Sequence, residues 1–235
     1  MTSPLKNENT LSDPSNQKMA RRFILAIPFY LAVPIIFGLF FHYGFSPIHW
    51  KAFSLGALGW VIALFLRGPV TVLLKGLSKE KATLFVGLSS GPLEEGVRLL
   101  LLLLTGTSFS WAISVGQGWA AIEVLFTIIN GFVLIHIIQR HDEKSIQVKE
   151  LLESNGQLRL NPLWGVVERI FASAFHIGVT LLIAKIPLLT FIFVIVHSLF
   201  NLVVVWLSRK NMLAAQLFVA VVGTALLVTG LIAWK

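Results

Sequence analysis

The sequence predicts an all-α, polytopic transmembrane helix bundle of about seven spans with its N-terminus inside, on three observations. The first is composition: 56% of the 235 residues are hydrophobic and only 13% are charged, about half the charged share of an ordinary soluble domain, and the mean hydropathy is +0.81. The second is pattern. Seven apolar runs, separated by turn residues, approach or exceed the length needed to cross a ~30 Å hydrocarbon core as a helix. None shows the period-two alternation of a membrane barrel. The third is the placement of lysine and arginine. With the N-terminus inside, about 14 basic residues fall on inner segments by the positive-inside rule, and only Lys51, Lys185 and Lys235 fall outside.

Residues 1–17 are polar, with Ser, Asn, Thr and Pro, and read as a disordered tail; residues 18–235 read as a single transmembrane domain. Lys18, Arg21 and Arg22 precede the first apolar run, 23–41. It is a span rather than a signal peptide, because it ends Leu-Phe-Phe-His-Tyr without a small-residue cleavage site. Pro28 or Pro34 is expected to bend it. The second run, 50–66, meets a turn signal at Arg67-Gly68-Pro69, and the third, 82–104, stops before Gly106. The fourth, 111–138, leads into the one sizeable inner loop, 139–161. The loop's Lys149-Glu150-Leu151-Leu152-Glu153 core, closed by Asn155-Gly156, is expected to form a short surface helix. Asn161-Pro162 opens the run 162–184, Pro187 precedes 188–207, and Arg209-Lys210-Asn211 precedes 212–234. With no water to satisfy the backbone, each run must be a helix.

Several classes are disfavoured. Cysteine is absent, so there is no disulfide framework and no thiolate chemistry. The net charge of +8 does not point to nucleic acid, because the basic residues flank apolar runs instead of forming one patch. No internal repeat is evident, which weighs against a transporter built from repeats.

The third run carries the feature that composition does not explain: Gly91-Pro92-Leu93-Glu94-Glu95-Gly96-Val97-Arg98. Charge at membrane depth costs several kcal/mol, about 3 per residue on the mildest scale. Such groups persist where they pair, face a wet cavity or do chemistry. At 1.5 Å per residue, Glu94 lies about 18 Å from the inner end of its helix and Glu123 about 18 Å from the outer end of the next. His176 lies about 21 Å from an inner end and His197 about 14 Å from an outer end. Glu94, Glu95, Glu123, His176 and His197 therefore share one level. Asn201 follows His197 by one turn on the same face, and Arg169 shares a face with His176. Glu168 and Arg169 sit nearer the inner end. Each has a simpler reading: Glu95 with Arg98 as an internal ion pair, Glu123 as a protonated acid bonded to a carbonyl, a membrane histidine as an interhelical hydrogen bond, and Glu168–Arg169 as a topological pair. Pro92, with Gly91 and Gly96, is expected to thin one helix face where substrate or water approaches.

At these residues the chain resembles the intramembrane proteases related to the CAAX-prenyl proteases and bacteriocin-processing enzymes. That group carries a Glu-Glu pair and a basic residue, then a histidine on a later helix, then His-x-x-x-Asn or His-x-x-x-Asp. Here these are Glu94-Glu95-Gly96-Val97-Arg98, His176, and His197-Ser198-Leu199-Phe200-Asn201. The Glu-Glu-x-x-Arg spacing is shorter than that of the CAAX proteases and is more similar to the PrsW and YhfC branches. Gly116-Gln117-Gly118-Trp119-Ala120-Ala121-Ile122-Glu123 and Glu168-Arg169 ahead of His176 resemble the YhfC-like branch in particular. Where that pattern carries a histidine, this chain has Trp119. The likeness spans residues 50–205 and implies a multi-pass protein of the cell membrane, in a prokaryotic plasma membrane.

The chemistry implied is hydrolysis of a peptide bond in or near the membrane. The partners would be membrane lipids and a membrane-embedded protein or peptide substrate, with no nucleic acid. Glu94 or Glu95 would activate water as general base, and Arg98 would hold one acid ionised and oriented. His176 would orient the water or bind a metal, and His197 with Asn201 would donate to the oxyanion. Glu123, Glu168 and Arg169 would support them. If the reaction is metal-dependent, Glu94, His176 and His197 would hold zinc or another divalent metal; the same groups can activate water without one. No His-Glu-x-x-His helix is present to decide. A proton- or ion-coupled membrane transporter, or a non-catalytic membrane factor on the same scaffold, is the alternative reading.

Overall fold

Apolar runs with no water to bond to become long helices, and the computed structural model, which describes residues 14–140, 142–143, 145–148 and 161–235, has seven of them and no strand among those residues. They are α1 (Pro14–Gly44), α2 (Trp50–Leu73), α3 (Lys79–Thr105), α4 (Phe109–Gln139), α5 (Pro162–Lys185), α6 (Thr190–Lys210) and α7 (Met212–Ile232). Six are long and apolar enough to span a membrane. α3 has the length but carries Glu94, Glu95 and Arg98 at its middle. The chain is thus a polytopic helical bundle and a multi-pass membrane protein. Its outside is covered with apolar side chains such as Ile35, Ile36 and Leu104, a surface that lipid solvates and water does not.

Helix ends follow the turn chemistry in the sequence. Asn161 caps α5 by accepting from the Leu163 N–H at 3.1 Å, with Pro162 in the first turn. Asn211 caps α7 through Ala214 N–H at 3.1 Å. Gly106 ends α3 at φ 143°, a conformation that costs glycine little. Two boundaries differ from expectation. α1 starts at Pro14, so 14–17 belong to a helix; the rest of the expected tail, and the expected surface helix at 149–153, lie outside the described residues. α2 does not turn at Arg67-Gly68-Pro69 but continues to Leu73. Proline removes only one backbone bond there, and the helix outlasts it by a turn. Arg67 therefore sits on a helix facing neighbours and not in a loop.

α5 is the centre of the bundle. In its apolar stretch 72% of residues are buried, against at most 28% in the other spans. It packs against α4 on one side and α7 on the other, with α1 across it; α2 lies on α4 and α3, and α6 joins α3 to α7. Glycine sets the spacing. Gly118 of α4 lies against the Phe53 backbone of α2, and Gly56 of α2 lies against the Val115 backbone of α4. On the other side of α4, a Cβ on Gly116 would stand 2.9 Å from Ile177 Cα of α5. The glycine-rich stretch makes α4 thin on two faces, so α2 and α5 approach it closely, as small residues allow in membranes.

A bulky residue at this seam should separate the helices. We expect Gly118→Leu to lower stability by about 1–3 kcal/mol, read as an earlier midpoint in SDS-induced unfolding, while Gly96→Leu, at an open surface position, leaves the midpoint unchanged.

Candidate active site

The helical repeat of α3 decides which groups turn inward. Glu94, Glu95 and Arg98 are buried on one face, and Pro92, Gly96 and Leu100 are exposed on the other. Two residues along a helix are about 200° around it, so Gly96 points away from Glu94. The expected approach along Gly91, Pro92 and Gly96 is not there. Gly91 packs against Val194 and Ser198 of α6, and Gly96 opens away from the acids.

Arg98 is fully buried and is the hub of the inward face. Its Nη1 donates to both oxygens of Glu95, at 2.7 and 3.0 Å. Its Nη2 lies 2.9 Å from His176 Nδ1. A guanidinium only donates, so Nδ1 of His176 accepts and its Nε2 carries the hydrogen. That Nε2 stands 2.7 Å from Glu123 Oε2 and donates to it. Glu123 also accepts from Arg169 Nη1 at 2.7 Å, and Arg169 Nη2 reaches Glu168 at 2.6 Å. Glu123 is therefore an ionised partner of two groups on α5, not a protonated acid bonded to a carbonyl. Glu168–Arg169 is more than a topological pair, since Arg169 links α5 to α4.

On the other side of Arg98, His197 of α6 bridges the two acids. Its Nδ1 is 2.6 Å from Glu95 Oε1 and its Nε2 is 3.8 Å from Glu94 Oε2. Phe175 packs edge-on to both histidine rings, 5.4 Å from His176 and 5.2 Å from His197. Glu94 is held by Arg67 of α2, and more weakly by Trp119 Nε1 of α4 at 3.3 Å. The Trp119 ring also lies 4.4 Å under the Arg98 guanidinium. Asn201 donates from its amide to Ser90 Oγ at 2.9 Å, and Ser90 in turn bonds the Gly87 carbonyl.

All nine site residues expected from the sequence are thus near one another, and six of them (Glu123, Glu168, Arg169, His176, His197 and Asn201) line a cavity of about 170 Å³. That holds roughly five waters at liquid density. Glu94 and Glu95 stand behind His197 rather than on the cavity wall. Sequence reasoning missed Arg67, Trp119 and Ser90. Arg67 resembled a loop charge because Gly68-Pro69 follows it; Trp119 appeared only as a departure from a motif; Ser90 gave no signal.

The charges nearly balance. Four carboxylates (Glu94, Glu95, Glu123, Glu168) face three guanidiniums (Arg67, Arg98, Arg169). One proton closes the sum, and His197 is the group that faces a carboxylate from each ring nitrogen. A metal fits less well. Glu94, His176 and His197 each offer an atom within 4.8 Å of the others, but both His176 nitrogens are engaged, one of them by a guanidinium. A divalent ion would need His176 to leave Arg98 or Glu123, and would meet Arg98 and Arg67 beside two of its three ligands. The donor set as arranged does not fit.

Removing Arg98 strands a buried anion. Arg98→Leu should cost about 3–5 kcal/mol, whereas Arg67→Leu should cost clearly less, because the Arg67 side chain is 27% exposed. Unfolding midpoints of the two variants in detergent check the order.

No family model, curated protein or solved structure matches this chain, which leaves the geometry of these residues as the ground for its function.

Proposed function

We propose that the chain is an intramembrane endopeptidase that hydrolyses a peptide bond in or beside the bilayer with water activated by Glu94. The observation that carries this reading is the pair of Glu94 Oε2 and His197 Nε2, 3.8 Å apart at the centre of the bundle. That gap is too wide for a hydrogen bond, and a water lying to one side of the pair would be within reach of both groups. Glu95, by contrast, has both oxygens taken by Arg98 and one shared with His197, so it positions His197 and does not act as base.

Glu94 takes a proton from the water as the water oxygen adds to the substrate carbonyl carbon. The protonated His197, held at Nδ1 by Glu95, donates from Nε2 to the oxyanion that forms. Glu94 then passes its proton to the amine nitrogen as the C–N bond breaks, and the carboxylate is restored. Arg67 and Trp119 fix the carboxylate of Glu94; His176 and Glu123 fix Arg98. The resemblance to the YhfC and PrsW branches supports the same reaction class and a prokaryotic plasma membrane. No step runs through a metal.

A proton relay is less well served by these groups. Arg98 and Arg169 interrupt the run from Glu94 to Glu168, and a guanidinium does not release its proton.

The test is comparison of new N-termini by mass spectrometry in membranes holding the wild type or Glu94→Gln. Glu94→Gln should lower cleavage at least about 100-fold, and 1,10-phenanthroline should leave wild-type cleavage intact. Undiminished cleavage by Glu94→Gln overturns the assignment. Proton-linked vesicle uptake that survives Glu94→Gln would mark a transporter, and a biological effect that survives neutralising both acids would mark a non-catalytic factor.

A further inference from the structure

A second cavity, of about 270 Å³, opens at the end of the bundle that carries Lys18, Arg21, Arg209 and Lys210, between α1, α4, α5 and α7. By the positive-inside rule this is the inner end. The two cavities share Glu168. They also share helix faces. On α5, Gly165 and Glu168 line the inner-end cavity and Glu168, Ala172 and His176 line the cavity of about 170 Å³ that His197 also walls, a spacing of three and four that keeps one stripe. On α7, Met212 and Gln216 line the first and Val219 the second, again one stripe. From Gly165 to His176 the path is about 16 Å of helix. An extended peptide covers that in about five residues.

Gln216 gives the path its polar character. It is 5% exposed, lines the cavity, and its carboxamide oxygen has no hydrogen-bond partner. A buried acceptor without a partner costs about 1–3 kcal/mol. An acyl chain cannot relieve that; a peptide N–H can. At Gly165 the space a side chain would take is filled by the Tyr30 hydroxyl, which lines the same cavity and donates to the Pro162 carbonyl at 3.1 Å.

We propose that this cavity is the substrate channel of the protease reading above, on which the inference rests. An extended peptide segment comes in from the inner side and lies along α5 with a backbone N–H on Gln216. Its scissile bond is then about five residues in from the inner interface.

The chain has no cysteine, so single cysteines can be placed at Leu134 and Met212, both half-buried at the mouth, without altering a catalytic group. A membrane-impermeant cationic methanethiosulfonate should label Leu134→Cys and Met212→Cys from the inner side of vesicles only. An apolar pentapeptide tipped with maleimide should then react faster than an alkyl maleimide of equal length. Gln216→Leu should remove a preference of about five- to tenfold, the worth of one hydrogen bond, while leaving the small-reagent labelling unchanged. Labelling from the outer side only, equal rates for peptide and alkyl probes, or a preference indifferent to Gln216→Leu would each overturn the proposal; equal rates would mark a lipid groove. Either cysteine suffices if the other variant fails to fold. None of these readouts needs hydrolysis, so a failed protease reading appears in the cleavage assay and a failed channel appears here.

Discussion

The bundle depends on one buried cation. Arg98 sits at the middle of α3 with no exposed surface, joined to Glu95 on its own helix and His176 on α5, over the indole of α4. In a bilayer, a guanidinium at that depth is tolerated only if its charge is met, and here Nη1 and Nη2 are both bonded while Nε has no partner. Meeting it drew in a second set: Glu123 behind His176, Arg169 behind Glu123, His197 behind Glu95. Each group satisfies the next, and the run ties α3, α4, α5 and α6 together. A buried ionic network of this kind adds little net stability over an apolar core. In this arrangement each of the four carboxylates lies against a guanidinium, so the pairing joins helices in place.

That register is available because the backbones come close. Gly116 and Gly118 make α4 thin toward α5 and α2, which brings Trp119 within reach of Glu94 and Arg98, and Glu123 within reach of His176. Gly91 does the same for α3 and α6, and Ser198 uses the approach to bond the Leu88 carbonyl at 2.8 Å. Glycine spacing and polar pairing are therefore one design: the first sets the distance at which the second works. The unbroken buried run of α5 from Ala172 to Ala184 follows, since α5 is the helix that neighbours enclose.

Much of this was legible in the sequence, and for definite reasons. Hydropathy gives spans because lipid leaves the backbone no other partner, so every helix appeared close to its place. Depth is arithmetic on helical rise, so Glu94, His176 and His197 could be placed at one level before any fold was known. Pairing was harder to read. Whether Glu95 or Glu94 lies against His197 Nδ1 depends on which face of α6 meets α3, and spacing along one helix does not carry that. Arg67 was read as a loop charge because Gly-Pro is a strong turn signal, yet one missing backbone bond does not end a helix whose surroundings favour it. The Pro92–Gly96 face misled for the same reason: local thinness says where a helix can be approached, not what approaches it.

Trp119 bears on the chemistry more than its place in a motif suggested. An indole offers one N–H and no lone pair, so it cannot ligate a metal where the resembling branch carries a histidine. It can do what is seen here: donate to Glu94 and lie under Arg98. Together with Arg67 it surrounds Glu94 with donors, with one carboxylate oxygen turned toward His197. A cation brought to that carboxylate would compete with a guanidinium already bound to it. The residues beside Glu94 thus leave its carboxylate bonded to a guanidinium and an indole N–H rather than placed to hold a metal, with the His197 ring opposite.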